Sequence, residues 1–522
     1  MNWDIFLKKH WQLILFNFLI LLIFTVFYGH FGNIMVDSFR EAYIPKQMIN
    51  GQVLYKDIFC VYPPLAYLIN SVLMLIFGAK LSVLYFVGLI LTFGITNLLF
   101  AITNKFLPKA YSLSIILFTI SVSLLSNNVF NFIFPYSYGI MYGILFVLSS
   151  VYFCLIGKFR LSYLMYMLAI CSKYEFIFLL PVLFWYSGKK EFIKSLPIII
   201  VTPIIVFAPL FIMGLKFDDL ANIFELVITM SSTKTLYWFY SISGLTFRPE
   251  LVPIYGLNFL KFFIPLIFMY YFRHPLLVVL TAIYFWFAVS PAILIYIFPL
   301  VILLFIFNYK NLNYNKKFVI LSSLLVSIKL FSALTFQSYG VYFVPFALLS
   351  LFIASPRRYK KSLMIIIFIL SLIFGIKNIQ LLSEKNIKIS SQRGVIYSTD
   401  FYGYAVNELI NFVQNETNPD DKILVFPEGT ITNFMSGRNT DNKLYSLIPL
   451  YVETFGEENI IKKLESSKPE YIAICNYDTS DYYYSYFGQD YAKEIYNFIL
   501  SEYKPIKQIG KGFIFIIFKL KQ

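Results

Sequence analysis

Residues 62–78, YPPLAYLINSVLMLIFG, decide the topology of this chain. The run is long enough to suggest a membrane span. Counted as one, it reverses every later loop and puts Lys105, Lys109 and the cluster Arg357–Lys361 on the outer side. Tyr62-Pro63-Pro64 imposes extended backbone at its start, since a residue before proline is driven out of the helical region. A plain membrane-interface turn would account for that motif equally well. We take residues 62–78 as a helix lying on the outer face.

Working outward, the short basic loops then fall on one side. They are Lys8–Lys9, Lys105–Lys109, Lys158–Arg160, Lys189–Lys194, Arg273–His274, Lys310–Lys317 and Arg357–Lys361, and together they carry 17 Lys+Arg. Cytoplasmic loops concentrate basic residues in this way. Thirteen spans result, at 11–28, 81–103, 110–126, 139–157, 161–171, 175–187, 193–213, 256–272, 275–289, 292–307, 318–335, 341–354 and 362–379. The fifth and sixth are shorter than the ~20 residues of a full crossing and are expected to meet inside the membrane. The run Trp11–Gly29 has no small-residue cleavage site and reads as a retained span, not a signal peptide.

Composition agrees. The chain is 59% hydrophobic and 14% charged, where soluble proteins carry roughly 25% charged residues. The net charge of +15 is no nucleic-acid signature. Residues 1–379 hold 28 Lys+Arg against 10 Asp+Glu, and residues 380–522 hold 15 against 18. The surplus therefore belongs to the interspan loops. The four cysteines show neither a C-x-x-C motif nor metal-ligand spacing.

The tail changes character. Strand-like runs KILVF (422–426), YIAIC (471–475) and GFIFIIFKL (512–520) alternate with helix-like stretches 401–415, 457–466 and 488–503, with NPDD and FPEG as turn signals. No G-x-G-x-x-G or P-loop is present. The expected architecture is an α-helical polytopic membrane protein of about 13 transmembrane helices, residues 1–379, with interfacial helices in its first outer loop. A small C-terminal extracytoplasmic α/β domain with a mixed sheet, residues 380–522, follows.

Chemistry concentrates in the first outer loop, MVDSFREAYIPKQMINGQVLYKDIFCVYPPLAY (35–67), which holds Asp37, Arg40, Glu41, Lys46, Lys56 and Asp57. Asp37 can cap a helix over 38–50. Alternatively Arg40, one turn on, pairs with Asp37 and also grips a phosphate. Lys173, in LAICSKYEFIFLL, is an ionisable residue at membrane depth and so a site candidate. Pairing with Glu175 or snorkelling explains it as well. Arg248, Lys261 and Lys329 are weaker phosphate candidates. The loop 215–255 is aromatic and Ser/Thr-rich, as a lid or an interfacial belt would be. His30 is read as structural.

D-x-x-R at 37–40, the A-x-x-P-x-x-x-x-x-G-Q-x-x-Y-x-D-I stretch from Ala42 to Ile58, Tyr62-Pro63-Pro64-Leu65-Ala66-Tyr67 and SKYE at 172–175 resemble the C-type glycosyltransferases. The nearest in appearance are bacterial aminoarabinose transferases and protein O-mannosyltransferase-like enzymes. The resemblance implies inverting transfer of a sugar from a polyprenyl phosphate to a lipid, glycan or protein acceptor on the outer face of the cell membrane. It implies Asp37 as catalytic carboxylate, with Asp57 in reserve. Substrate contacts would come from Arg40, Tyr62, Lys173, Glu175, Arg248 and Lys261. Aminoarabinose transferases carry a basic residue where this chain has Tyr62. The second outer loop, SNNVFNFIFPYSYG (126–139), has no acidic residue, which argues for a metal-independent site. The competing readings are an envelope glycan polymerase or ligase and a transporter of a lipid-linked glycan, though the two halves show no internal repeat.

Overall fold

The computed structural model describes residues 3–35, 37–242, 297–328 and 338–521, with isolated positions between 257 and 284. They form two compact units. One comprises Met1–Phe31, Phe86–Val206 and Ser243–Ser383; the other comprises Gly32–Tyr85, Phe207–Ile242 and Glu384–Gln522. The tail from Glu384 therefore folds in one unit with the first outer loop and with Phe207–Ile242.

The first unit is built from apolar helices. Among the described residues, four stretches are long and apolar enough to cross a membrane: Leu81–Thr103, Tyr138–Leu155, Tyr174–Ile212 and Arg357–Ser383. Such helices satisfy their backbone groups internally, which lipid demands. Shorter apolar helices include Trp11–Val26, Lys109–Leu124, Phe159–Ser172 and Tyr339–Ala354. The expected count of thirteen spans is thus not reached among the described residues, and most of 256–289 lies outside them. Lys109–Thr119 runs into a π turn, Ile120–Leu124, and Leu180–Ile212 breaks at Gly188, whose φ is 79°, between the spans expected at 175–187 and 193–213. Phe159–Ser172 has 14 residues, about 21 Å at 1.5 Å each, short of a ~30 Å hydrocarbon core.

Two glycines set the packing around the end of that short helix. Gly139 and Gly143 lie four apart on one face of Tyr138–Leu155. A Cβ on Gly139 would stand 2.5 Å from the Ser172 carbonyl oxygen, and one on Gly143 would stand 2.1 Å from the Phe176 ring. Small residues at this spacing allow close helix approach, and here they clamp both flanks of Lys173. The neighbouring loop is ordered by Asn131. Its amide donates to the Phe134 carbonyl at 3.0 Å, and its Oδ1 accepts from the backbone N–H groups of Ile133 and Phe134.

The second unit contains the helices Arg40–Ile49 and Leu65–Phe77, then Phe217–Ser231 and Lys234–Ile242. Its tail is α/β, as expected. A hairpin of β1 (Ile387–Ser391) and β2 (Gly394–Ser398) precedes a four-stranded sheet of β3 (Ile423–Phe426), β4 (Tyr471–Cys475), β5 (Tyr503–Ile509) and β6 (Phe515–Leu520). The sheet order is β3-β4-β6-β5, parallel between β3 and β4 and antiparallel elsewhere, hence mixed. Leu424, Phe426, Ile472, Ile474 and Phe518 bury one core against Ile495 and Ile499 of the helix Lys493–Glu502. Asp400–Glu416 and Glu457–Ser467 match the expected helices. The stretch 488–503 does not: its helix begins at Lys493, and Tyr503 already starts a strand.

Candidate active site

Asp37 sits in the left-handed region, φ 55°, a conformation that Asp and Asn tolerate better than most residues. Its own carbonyl accepts from the Arg40 N–H at 3.0 Å and so starts the turn that becomes the helix Arg40–Ile49. The N-cap of that helix is Phe39, without a side-chain cap bond, which corrects the capping role expected for the Asp37 carboxylate. That carboxylate pairs instead with the guanidinium: Arg40 Nη1 lies 2.6 Å from Asp37 Oδ1. The Arg40 side chain is only 6% exposed and Asp37 22%, so the cation is anchored while the carboxylate keeps an open side.

A second set of contacts fixes Arg40. Its Nε lies 3.5 Å from Oε1 of the fully buried Glu41, which also accepts from the Tyr67 hydroxyl at 2.7 Å. The Tyr62 ring sits 5.0 Å from the guanidinium carbon, a cation–π arrangement. Burial works against the charge of Arg40, but Asp37 above all drives its pKa well above the ordinary value. Tyr62 thus stacks on a cation of this chain.

Glu428 is the residue that sequence reasoning missed. It follows the end of β3 in the segment FPEG, and its Oε1 accepts the Asp37 backbone N–H at 3.3 Å. Glu428 is 8% exposed. Burial, together with the charge of Asp37, pushes its carboxyl up to about 8. A like charge nearby disfavours ionisation of a buried carboxyl. FPEG reads as a turn, but an acid just past the carboxyl end of a sheet strand is a recurrent site position. The hydroxyls of Tyr451 and Tyr482 are held protonated by burial and feel both carboxyls.

The first outer loop is clasped to the tail around this spot. Tyr43 Oη donates to Asn442 Oδ1 at 2.8 Å, and Tyr445 Oη donates to the Phe59 carbonyl at 3.0 Å. Asp57 is engaged differently. Its Oδ2 accepts from the Val53 N–H at 2.8 Å and closes its own turn. The segment after Leu215 forms two helices. The second docks on the tail through Glu453, which accepts from the Thr235 N–H at 2.9 Å, and through Lys234 over the Tyr483 ring at 3.7 Å.

In the first unit, Lys173 is 3% exposed and follows the last residue of Phe159–Ser172 with extended backbone. Its Nζ donates to the Tyr136 hydroxyl at 2.7 Å. Glu175 accepts from the Tyr339 hydroxyl. The Tyr136 and Tyr339 rings meet edge to face at 5.6 Å. Lys173 and Glu175 are thus each held by a tyrosine, and the two tyrosines touch. Arg248, Lys261 and Lys329 lie outside the described residues. His30 Nδ1 lies 3.2 Å from the Tyr28 carbonyl oxygen.

Solved structures match this architecture along most of the chain. The aminoarabinose transferase ArnT of Cupriavidus metallidurans, bound to undecaprenyl phosphate, matches with a TM-score of 0.50 at 12% identity, over 97% of this chain and 98% of that one. The oligosaccharyltransferase of Archaeoglobus fulgidus in its apo form matches with a TM-score of 0.52 at 10% identity, over 89% and 70%. The chain thus shares its fold with these two enzymes. No protein-family model and no curated protein matches the sequence.

Proposed function

We propose that this chain is an inverting glycosyltransferase of the cell membrane that moves a sugar from a polyprenyl phosphate to an acceptor, with Asp37 as general base. One observation carries the reading: a carboxylate with an open side, 2.6 Å from a buried guanidinium, with a buried carboxyl hydrogen-bonded to its backbone. The undecaprenyl phosphate on the transferase of like fold is the pattern for the donor.

The chemistry asks for little else. The acceptor O–H or N–H attacks the anomeric carbon as the bond from that carbon to the phosphate oxygen breaks, and its proton passes to Asp37. The lipid phosphate departs as a stable anion and needs no strong acid. Cations stabilise the charge that gathers on it. Arg40, steadied by Glu41 and Tyr62, is the cation we assign to phosphate in this unit, and Lys173 is a separate candidate for a donor contact. Residues 380–522 are proposed to lie outside the cytoplasm, so that a cysteine probe at Ser480 reacts from outside intact cells and one at Lys190 does not.

The test is a panel of radiolabelled polyprenyl-phosphate sugars supplied to membranes containing the protein. Label appearing in a lipid, glycan or protein only when the chain is present supports transfer and identifies sugar and acceptor together. Donors translocated intact, with no new glycoside, would favour the transporter reading.

A further inference from the structure

Two of the basic loops, which take no part in this chemistry, line one cavity in the first unit. Its volume is about 410 Å³, and its walls are Lys105, Phe106, Leu155, Asn313, Asn315 and Lys316. Sites for small molecules span ~300–1,000 Å³. Lys105 comes just after Leu81–Thr103, and Leu155 is the last residue of Tyr138–Leu155, two stretches long and apolar enough to cross a membrane. The cavity therefore lies where spans end, at the depth of lipid headgroups. The side chains on its walls offer donors. Asn313, the N-cap of Tyr314–Val326, accepts from the Lys316 N–H at 3.0 Å through Oδ1. Asn315 Oδ1 accepts from the Tyr186 hydroxyl at 2.7 Å. Each amide oxygen is thus bonded within the protein, and each amide nitrogen keeps its N–H groups to offer. The Lys105 ammonium is held 5.4 Å from the Tyr152 ring centroid. Among the described residues neither Lys105 nor Lys316 makes an ion pair, and no acid lines the cavity. A second cavity, lined by Gly157, Lys158, Arg160, Glu191 and Lys194, differs in carrying its own acid, since Lys194 Nζ lies 2.7 Å from Glu191 Oε1.

We infer that the cavity lined by Lys105, Asn313, Asn315 and Lys316 binds the phosphate of an anionic lipid headgroup. Two ammonium groups and two amide nitrogens suit the oxygens of a phosphodiester, and nothing acidic in the walls competes for the lysines. Phe106 and Leu155 give the glycerol and the first methylenes an apolar wall. Basic pockets between the ends of spanning helices are where anionic headgroups bind. A soluble phosphate presents the same oxygens, but it would leave the apolar wall uncovered.

The full chain, purified in detergent, tests this independently of transfer. Native mass spectrometry gives the dissociation constant of the first phosphatidylglycerol bound, with phosphatidylcholine for comparison, and equilibrium dialysis reads ³²P-labelled inorganic phosphate. Phosphatidylglycerol should bind more tightly than phosphatidylcholine. Lys105→Gln and Lys316→Gln should each weaken it by about tenfold or more, as the loss of one charged hydrogen bond does. Asn315→Asp keeps an oxygen for Tyr186 but places a carboxylate in the cavity, and should weaken binding at least as much. Lys158→Gln, in the second cavity, should leave it unchanged. Thermal melts establish that each variant is folded. Inorganic phosphate bound in place of phosphatidylglycerol, and lost in the same three variants, supports the site and makes a soluble phosphate its ligand. Binding unchanged in Lys105→Gln, Lys316→Gln and Asn315→Asp overturns the inference. So does equal binding of phosphatidylcholine, or an equal loss in Lys158→Gln, which would mark a general attraction to the basic loops.

Discussion

The backbone N–H of Asp37 donates to Glu428 Oε1 at 3.3 Å, across 391 positions of sequence. A carboxylate from the first outer loop and a carboxyl from the end of β3 therefore share one environment. The tail thus contributes a side chain to the proposed site.

The pH dependence of stability follows from this pair. Glu428 is raised to about 8 in the folded chain, against roughly 4.3 when unfolded. The folded state therefore holds the proton more tightly. The stability it contributes is complete below the unfolded value and is lost as pH rises through about 8. Thermal melts from pH 4 to 9 should show Tm of the wild type falling across that window. Glu428→Gln should flatten the slope; a slope unchanged by the substitution would place the titration elsewhere.

Arg40 is the cation whose removal should do most damage to the fold. Substituting Gln leaves Asp37 and the fully buried Glu41 without their guanidinium. Breaking a buried pair in this way costs about 3–5 kcal/mol. Denaturant unfolding should register that loss. Arg40→Lys should recover part of it, because a point charge reaches one carboxylate but cannot fork between two.

Asp57 offers a contrast within the same loop. It closes a turn on the Val53 N–H, and Asn retains an oxygen for that bond. Asp57→Asn should cost about 1 kcal/mol or less in stability and leave transfer close to wild type. An inactive Asp57→Asn beside an active Asp37→Asn would move the base to Asp57.

Lys173 tests the donor's phosphate. Lys173→Gln should raise the KM for the lipid donor more than it lowers kcat, with Lys173→Arg intermediate. Gly139→Ala should have a related effect, since its new Cβ meets the Ser172 carbonyl oxygen at 2.5 Å, beside Lys173. Steady-state kinetics with donor as the varied substrate separates the outcomes. Unchanged donor dependence in Lys173→Gln would leave it a structural partner of Tyr136.

What the sequence disclosed and what it hid divide along physical lines. The helix Leu81–Thr103 is bounded by Lys80 and Lys105 and apolar between them, so composition alone delimits it. β3 and β4 are buried along their whole length and read as continuous apolar runs. Strand β5 is a sheet edge, exposed from Lys504 to Gln508 and interrupted by Pro505, so it carries no apolar alternation. The Asp37–Arg40 pair was legible because it depends on spacing within one turn. Glu428 was not, because only tertiary folding brings it to Asp37.

The most direct test is Asp37→Asn in a transfer assay with the donor identified from the sugar panel. Asn tolerates the left-handed backbone of this position and keeps the size of the side chain, while its basicity is gone. If Asp37 is the base, the variant is a folded protein with wild-type donor binding and transfer reduced by about 10²–10⁴-fold. Transfer at the wild-type rate, by a protein in which Asp57→Asn is also active, would contradict that role.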